Sequence, residues 1–198
     1  MNYLAHAYLA ESSDEFLIGS FIGDFVKGSV GEHFSTEIAN GIRFHRQVDT
    51  YADNHKLTRA SRSLFSRQRR RFAGIILDVC YDHFLSNHWS SYADAELSGF
   101  IERTYALLNQ HRSILPLKLQ TALPRMFKQN WLACYRTLDG VDITLNRIAK
   151  RITRENCLNG SIGEVKDNYR RLEDNFLAFF PDLLNFAQPF TEFRSKRQ

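Results

Sequence analysis

Between positions 75 and 89 the chain reads Ile-Ile-Leu-Asp-Val-Cys-Tyr-Asp-His-Phe-Leu-Ser-Asn-His-Trp, and this stretch constrains the fold more than any other. At about 100° per residue Asp78 and Asp82 share one side of a helix, with His83 in the same half-circle and Ile75, Val79 and Leu85 among them. Leu77, Cys80, Tyr81 and Phe84 cover the opposite side. A helix that is apolar all round is normally a central one, so its acids are expected to be buried. Buried carboxylates need partners, because an unpaired charge away from water costs many kcal/mol. No Lys or Arg occurs between Arg71 and Arg103, so none is local. Three resolutions remain: cations from distant segments, acids that cap neighbouring elements, or a divalent metal, which carboxylate and imidazole together suit.

The surrounding chain supports a packed helical protein. Its 198 residues fit a single domain over 1–198, long enough to bury about 70% of its unfolded surface. Sixteen Phe and eight Tyr against four Pro and ten Gly argue against disorder. Cys80, Cys134 and Cys157 are odd in number and in no paired spacing, which predicts neither a zinc knuckle nor a disulfide framework and fits a reducing cytoplasm. The start of the chain lacks the basic region of a signal peptide, and the apolar run from Phe16 to Val26 is too short to span a bilayer and contains Asp24. The net charge of +4 is concentrated in two clusters, one of Arg67, Arg69, Arg70 and Arg71 and one of Arg147, Lys150, Arg151 and Arg154. Such patches speed encounter with an acidic partner, although a solvated helix face is the commoner meaning of a charge run.

Helical spacing recurs along the chain. Leu4, Ala5, Tyr8 and Leu9 form a first helix that carries His6. Ser12 and Glu15 have capping-box spacing and predict a helix ending near Gly28, with Asp24 late in it among Phe21, Ile22, Phe25 and Val26. Gly19 and Gly23 would let a neighbouring helix approach closely. Ser35 or Thr36 caps the next helix, on which His45 and Asp49 are four apart and project together, with Asp53 one turn on as a group that could orient His45 or Arg46. Further helices are expected near 57–65, from 96 to 110, from 117 to 138 with an interruption at Pro124, from 141 to 152 after a turn at Asp139-Gly140, and from 161 to Pro181, followed by a fraying tail. No alternating strand pattern, repeat or linker is present, and the expected fold class is all-α, a single-domain helical bundle.

Acids and imidazoles in apolar settings come from the first 90 residues: His6, Asp24, His45, Asp49, Asp78, Asp82 and His83. Seven candidates from four helices are hard to explain one at a time, and facing helices of a bundle can hold a metal between them. Mixed oxygen and nitrogen donors suit manganese, iron, or magnesium with bound water.

Four ordered blocks carry a resemblance to a known family: Met-Asn-Tyr-Leu-Ala-His at the start, Gly-Asp-Phe-Val-Lys-Gly at 23–28, Gly-Ile-Arg-Phe-His-Arg-Gln-Val-Asp at 41–49, and Leu-Asp-Val-Cys-Tyr-Asp-His-Phe-Leu at 77–85. In these the chain resembles the bacterial acyl carrier protein phosphodiesterases. The resemblance implies hydrolysis of holo acyl carrier protein to the apo protein and 4′-phosphopantetheine with a divalent metal, commonly manganese, and a distant relation to the helical HD-domain phosphohydrolases. The HD signature places His before Asp, whereas here Asp82 precedes His83, so ligands cannot be assigned by order. Asp24, His45, Asp78 and Asp82 are taken as metal ligands, Asp49 and His83 come next, and His6 is a wall or proton-transfer residue; His83 or His6 could protonate the serine alkoxide that leaves. The four arginines at 67 and 69–71 precede the central helix and are expected to meet the acidic carrier protein. A nucleotide-specific HD-like phosphohydrolase is the alternative enzyme. A helical nucleic-acid-binding module is the non-enzymatic alternative, and it would leave the buried acids unexplained.

Overall fold

The computed structural model describes residues 1–31 and 33–195. Eleven α-helices and no strand are present among them. The first five are α1 (Tyr3–Leu9), α2 (Asp14–Ile22), α3 (Thr36–Asn54), α4 (Lys56–Ser63) and α5 (Ala73–Asn87). The remainder are α6 (Leu97–Gln110), α7 (Leu117–Lys128), α8 (Trp131–Cys134), α9 (Leu138–Arg151), α10 (Ile162–Asp167) and α11 (Tyr169–Ser195).

The stretch that is apolar all round becomes the central helix α5. Residues 79 to 86 are all buried, and the helix packs against α1, α4, α9 and α11. Its contact with α11 is aromatic: Tyr81 lies 5.3 Å from Phe179 and Phe84 lies 5.6 Å from Phe176, ring centre to ring centre. Such pairs add about 0.5–1.5 kcal/mol each beyond the area they bury. The core extends from Met1 through Phe180 to Ala187 as one cluster.

The helices nearest the acids are positioned by caps and by small residues. Ser13, rather than Ser12, caps α2 by accepting from the Phe16 N–H, and Ser35 caps α3 by accepting from the Ile38 N–H. Helix α2 ends at Ile22, and Gly23–Phe25 tighten into a 3₁₀ turn. Helices α2 and α3 run against each other at Gly19 and Gly41. A Cβ on Gly19 would lie 2.2 Å from the Ile38 carbonyl oxygen, and one on Gly41 would lie 2.3 Å from that of Phe16, so hydrogen is the only side chain that fits. This close approach brings the end of α2, with Asp24, beside His45 and Asp49 of α3.

Elsewhere the structure moves several expected boundaries. Pro124 lies inside α7, and the break comes later, at Asn130 with a left-handed φ of 41°. The Gln120 carbonyl, which Pro124 has no N–H to bond, lies 3.5 Å from Arg112. Asp139 and Gly140 belong to the first turn of α9, where the Thr137 hydroxyl accepts from the Gly140 N–H. Ser161 makes no side-chain cap. The final helix continues through Pro181 and Pro189, so the expected frayed tail is helical as far as Ser195, and the last three residues lie outside the described ones.

Candidate active site

Five side chains from four helical segments meet at one end of the α1–α2–α3 layer. His6 comes from α1, Asp24 from the 3₁₀ turn, His45 and Asp49 from α3, and Asp78 from α5. His6 and His45 stack with ring centres 3.7 Å apart. Asp49 Oδ1 is 3.1 Å from His6 Nε2, and its Oδ2 is 3.2 Å from His45 Nε2. Asp24 Oδ1 is 3.6 Å from the same His45 nitrogen. Asp78 joins through the Met1 amino group, which is 3.0 Å from Asp78 Oδ1 and 3.0 Å from Asp49 Oδ1. The imidazoles are buried, at 2% and 4% side-chain exposure, whereas the carboxylates of Asp24, Asp49 and Asp78 are 57%, 36% and 38% exposed. The acids therefore form the outer, solvent-facing side of the group.

His45 shows what the group is suited to hold. Its Nδ1 lies 2.7 Å from the Ser20 carbonyl oxygen, a contact that requires the proton on Nδ1. A neutral ring then directs its Nε2 lone pair towards two carboxylates. That nitrogen is buried and makes no hydrogen bond of acceptable geometry, despite the short distances. A second proton on that nitrogen, or a cation between it and the two carboxylates, would satisfy it. Without a cation, burial lowers the His45 pKa, but Asp24 and Asp49 outweigh it and hold it at about 9. The opposite holds for His6, which burial and the neighbouring His45 charge bring down to about 4. Burial raises Asp49, but the Met1 ammonium and the two imidazoles outweigh it and hold it far below the usual carboxylate range. Asp24 is lowered, chiefly by His45, and Asp78 is raised by its burial. An imidazole whose second nitrogen is fixed by a backbone carbonyl is the usual form of a metal-binding histidine. Donor atoms of His6, His45 and Asp49 all lie within 4.8 Å of one another, so the residues fit a divalent ion.

Two of the sequence candidates are engaged elsewhere. Both oxygens of Asp82 accept backbone N–H bonds at the start of α1, from Leu4 at 2.8 Å and Ala5 at 3.1 Å. This is the capping alternative, with the cap supplied from another helix. Burial lifts the Asp82 pKa to about 7, against the pull of those two donors. His83 points away from the group: its Nδ1 is 2.6 Å from the Tyr135 carbonyl, and its Nε2 is 3.0 Å from the Tyr169 hydroxyl. Asp53 faces neither His45 nor Arg46 and pairs with Arg62 at 2.5 Å. Arg46 instead donates to the Val26 carbonyl and so holds the chain just after Asp24. In the arginine cluster, Arg69 pairs with Glu164 and donates to the Cys157 carbonyl, and Arg71 donates to that of Glu155. Those two fasten the segment before α10, and Arg67 and Arg70 are exposed.

Gly23 is a residue that spacing did not assign to the site. A Cβ there would lie 2.2 Å from His45 Cγ, so the ring packs directly on the backbone of the turn that carries Asp24. Gly23→Ala is expected to displace His45 and weaken manganese binding by about 10–100-fold, the usual effect of disturbing a ligand's support. Titration of the variant with manganese measures it, and parent-like affinity would show that the ring has room to move. The signals in the sequence are that a glycine directly precedes the acid and that Gly19 and Gly23 stand one helical turn apart, a spacing that predicted a close helix approach but not contact with the His45 ring.

Fold and site together define an all-α protein with a carboxylate–imidazole cluster open to solvent, a centre of the kind that helical bundles use to take divalent ions. The acyl carrier protein phosphodiesterase family model matches residues 1–183, and the chain belongs to this family. Acyl carrier protein phosphodiesterases of Serratia proteamaculans and Yersinia enterocolitica are 35% and 36% identical to it over 189 residues, covering 95% of this chain and 98% of each relative. That of Klebsiella pneumoniae is 36% identical over 196 residues. No solved structure matches the chain. Among the described residues no helix is long and apolar enough to cross a membrane.

Proposed function

We propose that this phosphodiesterase hydrolyses the phosphodiester between the carrier serine and 4′-phosphopantetheine in holo acyl carrier protein, with a divalent ion, manganese foremost, held at the cluster. What carries the reading is the match to the family over residues 1–183. His45 Nε2 and Asp49 are the central ligands, with Asp24 and Asp78 completing the outer side and His6 beside them. When bound, the ion supplies an activated water and positive charge for a phosphoryl oxygen. His6 is neutral at pH 7, and its Nε2 lies 3.1 Å from the ionised Asp49 carboxylate, which can only accept, so Nε2 carries the ring proton and is placed to donate it. Ser20 fixes the His45 tautomer, and Gly23 lets the ring lie flat against the turn. Asp82 holds the start of α1 and thereby the height of His6. His83, with both ring nitrogens engaged, braces α5 against α11 and the Tyr135 carbonyl.

The test is the mass of a holo carrier protein after incubation with the enzyme. Loss of the phosphopantetheine mass, abolished by chelation and restored by manganese, is the expected result. Full turnover by protein shown to be metal-free would remove the ion from the reading. Phosphate release from nucleotides with the carrier unchanged would remove the substrate.

The same site predicts a pH effect on stability. In chelated protein His45 has a folded pKa of about 9, above its ordinary 6.5. Its contribution to stability is therefore complete below pH 6.5 and is lost as pH rises through about 9. A bound ion displaces that proton, so the thermal midpoint of chelated protein should fall across this window and that of manganese-loaded protein should fall less. Equal slopes would count against His45 as a ligand.

A further inference from the structure

Beside the cluster runs an open groove of about 590 Å³, between α7 and the start of the chain. Phe25, Leu117, Met126 and Trp131 give it apolar walls, and Tyr3 lies in its floor. Beyond Tyr3 and Trp131 it narrows into a crevice lined by Thr144, Arg147 and Ile148 of α9, and Arg151 borders both parts. The groove adjoins the site at two points. Phe25 directly follows Asp24, and Tyr3 stands one helical turn before His6, with the two rings 6.2 Å apart.

Every charged residue lining these two spaces is a cation: Lys118, Arg125, Arg147 and Arg151. Among the described residues none of the four has a carboxylate within ion-pair distance. Arg147 lies 5.2 Å over the Trp131 ring instead. Arg69 differs sharply, since Glu164 neutralises it. Leu117, on the lip, is 76% exposed, the highest value among the described large apolar side chains that face solvent. A hydrophobic slot bordered by unpaired cations, with Phe25 and Tyr3 of its lining close in the chain to residues of the cluster, suits an elongated, largely uncharged chain carried on an acidic body.

We propose that this groove seats the pantetheine arm of the substrate, and that Lys118, Arg125, Arg147 and Arg151 form the surface on which the acidic carrier protein docks. The inference rests on the carrier-protein reading above and adds where the partner binds. The phosphate lies at Asp24 and Asp49, the dimethyl and methylene groups of the arm lie along Phe25, Leu117 and Trp131, and the carrier's acids face the cations. Unpaired surface charges act mainly on encounter rate, and their effect shrinks as salt rises.

Two variants separate the arm from the body. Arg125→Glu with Arg147→Glu is expected to lower kcat/KM for manganese-loaded enzyme on holo carrier protein by about 10-fold or more at low salt and by much less at high salt. Hydrolysis of bis(p-nitrophenyl) phosphate should stay within about twofold, because neither arginine touches the cluster. Ala122→Trp, which fills the groove, should raise KM for holo carrier protein while apo carrier protein, which has no arm, still inhibits as it does the parent. Thermal midpoints near that of the parent confirm that both variants fold. The proposal is overturned if Arg67→Glu with Arg70→Glu causes the larger, salt-dependent loss, if both substrates suffer equally, or if Ala122→Trp leaves KM unchanged. If the parent cleaves the small diester and never releases phosphopantetheine from a carrier, the functional reading fails and this docking surface fails with it.

Discussion

Asp49→Asn is expected to reduce phosphodiesterase turnover by on the order of 10³-fold, about 4 kcal/mol of transition-state stabilisation, while the helical fold persists. The amide has the shape of the acid and lacks its charge. Asp49 stands within 3.2 Å of both imidazoles and within 3.0 Å of the Met1 amino group, so it is the one carboxylate that meets all three nitrogen groups of the cluster. Removing its charge should weaken manganese binding in calorimetry and bring the His45 pKa of the chelated protein down from about 9. Asp53→Asn, one turn along α3, is the control: its carboxylate is 59% exposed and bonded to Arg62, so turnover should change little. An Asp49→Asn enzyme with the parent's metal content and turnover would sink the site as assembled.

Asp82→Asn should act on stability first, by about 1–3 kcal/mol in urea unfolding. The residue is wholly buried, and its two oxygens receive the N–H groups of Leu4 and Ala5. An amide keeps one acceptor and turns an NH₂ group towards the other donor, so one N–H at the start of α1 is left without a partner in the core. The same change removes a charge whose burial is itself unfavourable, which keeps the loss below that of breaking an ion pair. Manganese affinity should fall less than in Asp49→Asn, since His6 is displaced but no ligand is deleted. A stable Asp82→Asn protein that no longer binds manganese would reverse this assignment and make Asp82 a ligand.

The contrast between Asp78 and Asp82 shows how far the sequence reaches. Helical period places both on one face of a helix that is apolar all round, and α5 is indeed the buried centre of the bundle. Periodicity likewise determined that His45 and Asp49 project together and that the fold is all-α, whereas Asp24, expected among apolar residues, has its side chain 57% exposed. Which neighbour arrives above each residue is a property of packing, and there the sequence is silent. The start of α1 comes to rest over Asp82, the Met1 amino group and Asp49 come to Asp78, and one turn of helix separates a cap from a member of the cluster. His83 is decided by Tyr135 and Tyr169, 52 and 86 residues further on, and Arg69 by Glu164, 95 residues on. The convergence of His6, Asp24 and His45 depends in turn on the crossing of α2 and α3 at Gly19 and Gly41, where the Ile38 and Phe16 carbonyls leave no room for a side chain. Local spacing determines the face on which a group emerges; close packing between distant segments decides whether it meets a partner, a ligand or solvent.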